Sequence, residues 1–189
     1  MKKTILVDMD DTIENCTEAW VNFVNKRYGT DVDPDSLTEW VVSSAFPTLT
    51  HEQVYSCVIE DEFWHSVKPF EDAVNYLKKL IDDGHEIYIV TSAQYESIKV
   101  KMEAVLFRYF PYIGWENVII AKNKQMIRGD ILIDDGIHNQ VGGKYIRLLY
   151  SAPHNRAYDA EANGMIRVSN WAEIYDFISK LTEEETDEQ

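Results

Sequence analysis

The chain has 189 residues, 33 of them acidic and 18 basic, for a formal charge of −15; so acidic a surface repels polynucleotide backbones and anionic membranes and excludes both as expected partners. Apolar residues make up 45% and aromatics 12%, enough for one well-buried core and incompatible with wholesale disorder. Two cysteines, Cys16 and Cys57, are too few and too scattered for a disulfide framework or a zinc site, and free thiols suit a reducing compartment.

The apolar run after Met1-Lys2-Lys3 stops at Asp8, too short for a secretory leader, and no stretch has the length of a membrane span. A cytoplasmic location is the expectation. Ile5-Leu6-Val7 reads as a buried strand of a parallel sheet that breaks into Asp8-Met9-Asp10-Asp11-Thr12. Asp8 and Asp10 then stand at the carboxyl edge of the sheet, where open α/β sheets bind ligands. Clustered carboxylates repel one another unless a cation sits among them, and Mg²⁺ is the usual oxygen-seeking candidate. A plain strand-ending turn is the bland alternative.

Residues 14–67 are helical in pattern and contain no clear strand. Thr17 can cap a helix through Trp20, Phe23, Val24 and Tyr28, ended by Gly29. Asp33-Pro34 opens a short helix, and Thr50-His51-Glu52-Gln53 has the form of a capping box. From residue 68 helix and strand alternate. A helix over 71–83 stops at Gly84, and Ile87-Tyr88-Ile89-Val90 is a strand running into Thr91-Ser92. A helix through Tyr95–Phe110 follows, then strands at Val118-Ile119-Ile120, Ile131-Leu132-Ile133, Tyr145–Tyr150 and Met165–Val168. Asn170-Trp171-Ala172-Glu173 starts the last helix, and the acids crowding 183–189 read as a solvated, disordered end.

This alternation argues an α/β fold with a doubly wound, mostly parallel sheet. Residues 1–13 and 68–182 form its core, and 14–67 are a helical cap inserted after the first strand. Three strand ends carry polar groups: Asp8/Asp10, Thr91-Ser92 and Asp134-Asp135. Lys124 lies between the third and fourth strands, and its spacing to the aspartate pair favours it over Lys122 as the site cation. The histidines, His51, His65, His85, His138 and His154, lack metal-ligand spacing and read as surface or loop positions.

At Asp8-Met9-Asp10-Asp11-Thr12, Thr91-Ser92, Lys124 and Asp134-Asp135 the chain resembles the haloacid-dehalogenase-like phosphatase superfamily. Within it, the chain is similar nearly end to end to the 5′(3′)-deoxyribonucleotidases of the cytosolic pyrimidine 5′-nucleotidase type. Trp40-Val41 and Ala152-Pro153-His154-Asn155-Arg156 carry that closer likeness. The resemblance implies Mg²⁺-dependent hydrolysis of nucleoside monophosphates, with Asp8 as nucleophile and Asp10 as general acid and then base. Crowded carboxylates are expected to keep a proton on Asp10. Asp8, the Asp10 carbonyl and Asp135 would hold the metal and Asp134 would orient it, while Thr91, Ser92 and Lys124 bind phosphate. Trp40, Val41, Phe63 and Lys122 would meet the nucleoside, and a homodimer is implied. Lys122 and Gly136 stand where the mammalian members carry arginine, and Cys16 where they place an aromatic. A sugar phosphatase and a silent nucleotide-binding regulator are the other readings.

Overall fold

Six short strands make one sheet in the order β3-β2-β1-β4-β5-β6, every neighbouring pair parallel. They are β1 (Thr4–Val7), β2 (Glu86–Thr91), β3 (Val118–Ile120), β4 (Ile131–Asp134), β5 (Ile146–Tyr150) and β6 (Ile166–Val168). The computed structural model describes residues 1–187. Ile5, Leu6 and Val7 are fully buried, as a central strand covered on both faces requires. The strand order reverses beside β1, and the register there sets the site. Val7 is level with Ile89 on one side and Ile133 on the other, so Asp8, Thr91 and Asp134 emerge at the same edge.

Helix α4 (Glu71–Asp82) buries Ala73, Leu77 and Leu80, and Gly84 closes its turn at a φ of 91° that only glycine adopts without strain. It packs beside α7 (Trp171–Asp187), whose Trp171, Ile174 and Ile178 reach the same core. Asn170 and Glu173 bond each other's backbone region at its start, Asn170 Oδ1 accepting from the Glu173 N–H and Glu173 Oε2 from the Ser169 N–H. The acidic end expected to be disordered is helical to Asp187, because Lys3 pairs with Glu185 and ties the last turns to the first strand. Glu188 and Gln189 lie outside the described residues. Among the described residues no helix is long and apolar enough to cross a membrane.

The helix expected over 95–110 starts later and changes pitch. It comprises α5 (Ile98–Lys101), a π-helical turn over Met102–Leu106, and α6 (Phe107–Tyr109). Met102, Ala104, Val105 and Leu106 are all buried, more consecutive side chains than one face of an α-helix presents, and the wider turn accommodates them.

Residues 14–67 carry α1 (Cys16–Tyr28), α2 (His51–Tyr55) and α3 (Asp61–Ser66), joined by short 3-10 turns. Thr50 and Gln53 form the reciprocal cap of α2. The start of α1 is not capped by Thr17. Its Cα lies inside the helix, and Asp11 accepts from both the Thr17 N–H and its hydroxyl. Where the chain leaves the sheet and returns to it, the two passages lie side by side, Asn15 N–H bonding Lys68 O at 2.9 Å and Phe70 N–H bonding Ile13 O at 3.0 Å.

Candidate active site

A cluster of acidic side chains meets at the carboxyl edge. Lys124 Nζ lies 2.5 Å from Asp8 Oδ1 and 2.7 Å from Asp134 Oδ2, and all three side chains are buried. Burial pulls the lysine's pKa down, but Asp8 and Asp134 outweigh it and hold the ammonium above its usual range. Asp8 itself is pushed up to about 7, first by burial and then by Asp134, with Lys124 opposing. Asp134 has every oxygen engaged: Oδ1 accepts from the Gly136 N–H at 2.7 Å and from Asn139 Nδ2 at 2.9 Å, besides the lysine on Oδ2. Gly136 permits this tight turn, since a Cβ there would stand 2.7 Å from Asn139 Nδ2.

Asp135 differs. Its Oδ1 is buried without a hydrogen-bond partner, and burial followed by Asp8 raises its pKa well above the carboxylate range. One oxygen each of Asp8, Asp134 and Asp135 lie within 4.8 Å of one another. An orphaned oxygen in an all-oxygen cluster fits a hard divalent cation, whose charge would relieve the repulsion. His154, expected at a surface or loop position, lies in the loop after β5 and is turned into the site, its Nε2 3.1 Å from Asp135 Oδ2. Burial holds its pKa below the usual histidine range, so near neutral pH the ring meets Asp135 uncharged. The signal was present in the sequence: His154 follows β5, whose end lies on the same edge.

Asp10 faces the cavity from the other side, with Lys101 Nζ 2.6 Å from its Oδ2. Its Oδ1 has no hydrogen-bond partner, and neither has either oxygen of the fully buried Glu14. The two carboxyls interact. Burial and then Asp10 raise Glu14 well above the carboxylate range. Burial also pushes Asp10 up, but Lys101 and Glu14 outweigh it and hold Asp10 low. This reverses the expectation that crowding keeps a proton on Asp10: of the two carboxyls, Glu14 is the one whose proton is held more tightly and Asp10 the one that gives it up more readily. Neither Lys101 nor Glu14 stood out in the sequence, because both belong to segments whose register is set only in the fold.

Above these groups opens a cavity of about 380 Å³, with Asp8, Asp10 and Asp135 at its floor. Ser92, Lys122 and Lys124 line it, as does Trp40, whose ring stands edge-on to His138 and His154 at 4.6 and 4.9 Å. Thr91 is fully buried and outside the lining; its hydroxyl accepts from Lys101 Nζ at 2.9 Å. Two expected nucleoside contacts lie elsewhere. Phe63 is buried in the hydrophobic core against Trp20, Phe23 and Trp64, since the apolar face of α3 packs inward. Val41 points to solvent at 46% exposure, and Val42, one residue on in a 3-10 turn, lines the cavity in its place. Trp20, Tyr55 and Cys16 complete the apolar wall.

Residues 2–183 match the family described as 5′ nucleotidase, deoxy (pyrimidine), cytosolic type C. The chain is 35% identical over 176 residues to a 5′(3′)-deoxyribonucleotidase of Bacillus subtilis, covering 92% of this chain and 97% of that protein. A 5′(3′)-deoxyribonucleotidase of Clostridium acetobutylicum is 28% identical over 175 residues, with 91% and 92% covered. A haloacid-dehalogenase-family hydrolase from Deinococcus radiodurans, solved with bound phosphate and sodium, superposes with a TM-score of 0.63 over 95% of this chain and 96% of that one. At 12% identity that likeness speaks for the fold alone. From the aspartates at the strand ends to the match over residues 2–183, the observations converge: the chain belongs to the 5′(3′)-deoxyribonucleotidase family.

Proposed function

We propose that this protein is a Mg²⁺-dependent phosphomonoesterase that hydrolyses deoxyribonucleoside monophosphates to nucleoside and inorganic phosphate. The observation that carries the reading is Asp8, held by Lys124 at the floor of an aromatic-walled cavity and open to it. An Asp8 oxygen bonds to phosphorus as the ester P–O bond breaks, and the proton held by the Glu14–Asp10 pair passes through Asp10 to the departing oxygen. Water then attacks the aspartyl-phosphate, gives its proton to Asp10 and releases phosphate, restoring both carboxyls. Lys124 and Ser92 hold phosphate oxygens, and the fixed ammonium offsets charge that builds there. Mg²⁺ would be held by Asp8, the Asp10 carbonyl and Asp135, with Asp134 orienting the set, and would supply further neutralisation of the phosphate.

Trp40, Trp20 and Tyr55 offer aromatic surface to a base, and Lys122 a cation near the sugar or base. The names of the Bacillus and Clostridium relatives support a deoxyribonucleotide as the substrate. A cytoplasmic homodimer is part of the proposal; it rests on the sequence resemblance and the free thiols, and sedimentation of the purified protein tests the assembly. The deciding experiment is phosphate release from a panel of deoxynucleoside, nucleoside and sugar monophosphates, with Mg²⁺ or EDTA, beside Asp8→Asn. Release should concentrate on deoxynucleotides, vanish with EDTA and drop at least ~10³-fold in the variant. Release from sugar phosphates alone would leave the chemistry and remove the substrate.

A further inference from the structure

The site holds a second buried lysine for which the reaction above has no use. Lys101 is 1% exposed, as buried as Lys124, yet it does not line the cavity. Its Nζ makes three contacts, each to a different part of the molecule. It lies 2.6 Å from Asp10 Oδ2 in the loop after β1 and 2.9 Å from Thr91 Oγ1 at the end of β2. The ring of Trp64, in the cap helix α3, is 5.1 Å away, within cation–π range. Lys101 is the last residue of α5, and the π-helical turn begins at the next residue. Turns of that kind break the regular phase of a helix and recur at functional sites.

The two lysines divide the carboxylates. Lys124 bridges Asp8 and Asp134, and Lys101 takes Asp10. With one oxygen pinned, a carboxyl that otherwise rotates about its Cβ–Cγ bond has a single orientation, and Asp10 keeps its 35% exposed side chain toward the cavity. We propose that Lys101 is a positioning residue: it acts through Asp10, fixing the carboxyl that delivers the proton to the leaving oxygen and registering it against the β2 end and the cap. This rests on the phosphatase reading above.

The test exploits the leaving group. An alkoxide leaving from a deoxynucleotide needs a proton, whereas 4-nitrophenolate leaves without one, so an acid-positioning role divides the two substrates and a packing role does not. kcat/KM reports the first half-reaction in both. For Lys101→Met it should fall by about 10²-fold or more on a deoxynucleoside monophosphate and by less than about threefold on 4-nitrophenyl phosphate. Lys101→Gln, which keeps a donor for Asp10 and Thr91, should recover part of the nucleotide loss. Equal losses on both substrates, or no loss on either, would overturn the assignment. So would a failure of both variants to fold by circular dichroism, which would make Lys101 a structural residue only. Wild-type protein inactive on every alkyl phosphate would discard the phosphatase reading and this role with it; wild-type turnover with undivided variants discards the role alone.

Discussion

Glu14 shows how far a single carboxyl can depart from its ordinary behaviour. It is fully buried between the sheet and the cap, and burial with Asp10 beside it raises its pKa well above the carboxylate range. The folded protein therefore keeps Glu14 neutral to a higher pH than the unfolded chain, which ionises it above about pH 4.3. Below that pH the two states agree and the group costs nothing. As pH rises toward the folded pKa, ionisation favours the unfolded chain and stability is lost. Glu14→Gln, neutral at every pH, should melt higher than the parent at pH 8, with the difference shrinking toward pH 5. Each kcal/mol recovered corresponds to roughly 2–4 °C in a chain of this size. Scanning calorimetry at both pH values checks it, and a constant difference would mean that Glu14 is ionised in the fold. Asp8, Asp10, Lys124, Asp134 and Asp135 were legible in the sequence because strand ends are, and a strand end has only one edge to occupy. Glu14 and Lys101 were not, because their placement depends on how a linker and a helix return to that edge.

At the scale of elements, short polar signals translated well. The Thr50–Gln53 and Asn170–Glu173 caps form at the positions their spacing indicated, because a cap is a contact within four residues. Signals that depend on which face of an element turns inward did less well. A 3-10 turn over Val42–Ala45 exchanges Val41 for Val42 at the cavity, and the inward face of α3 takes Phe63 into the hydrophobic core. The two aromatics should therefore separate experimentally. Phe63→Ala leaves a large void among Trp20, Phe23 and Trp64 and should cost about 3–5 kcal/mol in denaturant unfolding. Trp40→Ala removes a half-exposed ring at the cavity mouth and should leave unfolding nearly unchanged. It should raise KM for deoxynucleotides more than it alters turnover of 4-nitrophenyl phosphate. The opposite pattern would return Phe63 to the pocket and Trp40 to the cap.

Across the whole molecule, a charge of −15 surrounds a cavity whose cationic lining is Lys122 and Lys124. A phosphate dianion approaches against the global field and is captured by a local one. Salt screens the long-range repulsion over about 8–10 Å but reaches the buried Lys124 far less. Raising ionic strength from about 10 to 150 mM should therefore increase kcat/KM for a nucleotide, by roughly twofold or more, rather than reduce it. A fall would show that the local cations dominate encounter from solution.

The parallel sheet also has a consequence in time. β1 pairs with β2 through Ile5 and Ile87, and with β4 through Ile5 and Ile131. A ribosome adding about 5–20 residues per second reaches the β4 partner some 6–25 s after β1 has been made. Until β2 emerges the nascent chain carries this buried strand with both edges unpaired, its β4 edge stays open for the whole interval, and no local hairpin can shelter it. Assembly must wait for the two distant partners, and it is slow in the manner of topologies built on remote pairings. Because Asp8 N–H bonds Ile133 O and Lys124 lies just upstream of β4, the same late docking that hides the strand also delivers the cation beside the nucleophile. Sheet closure and catalytic competence should arrive together, as one kinetic event.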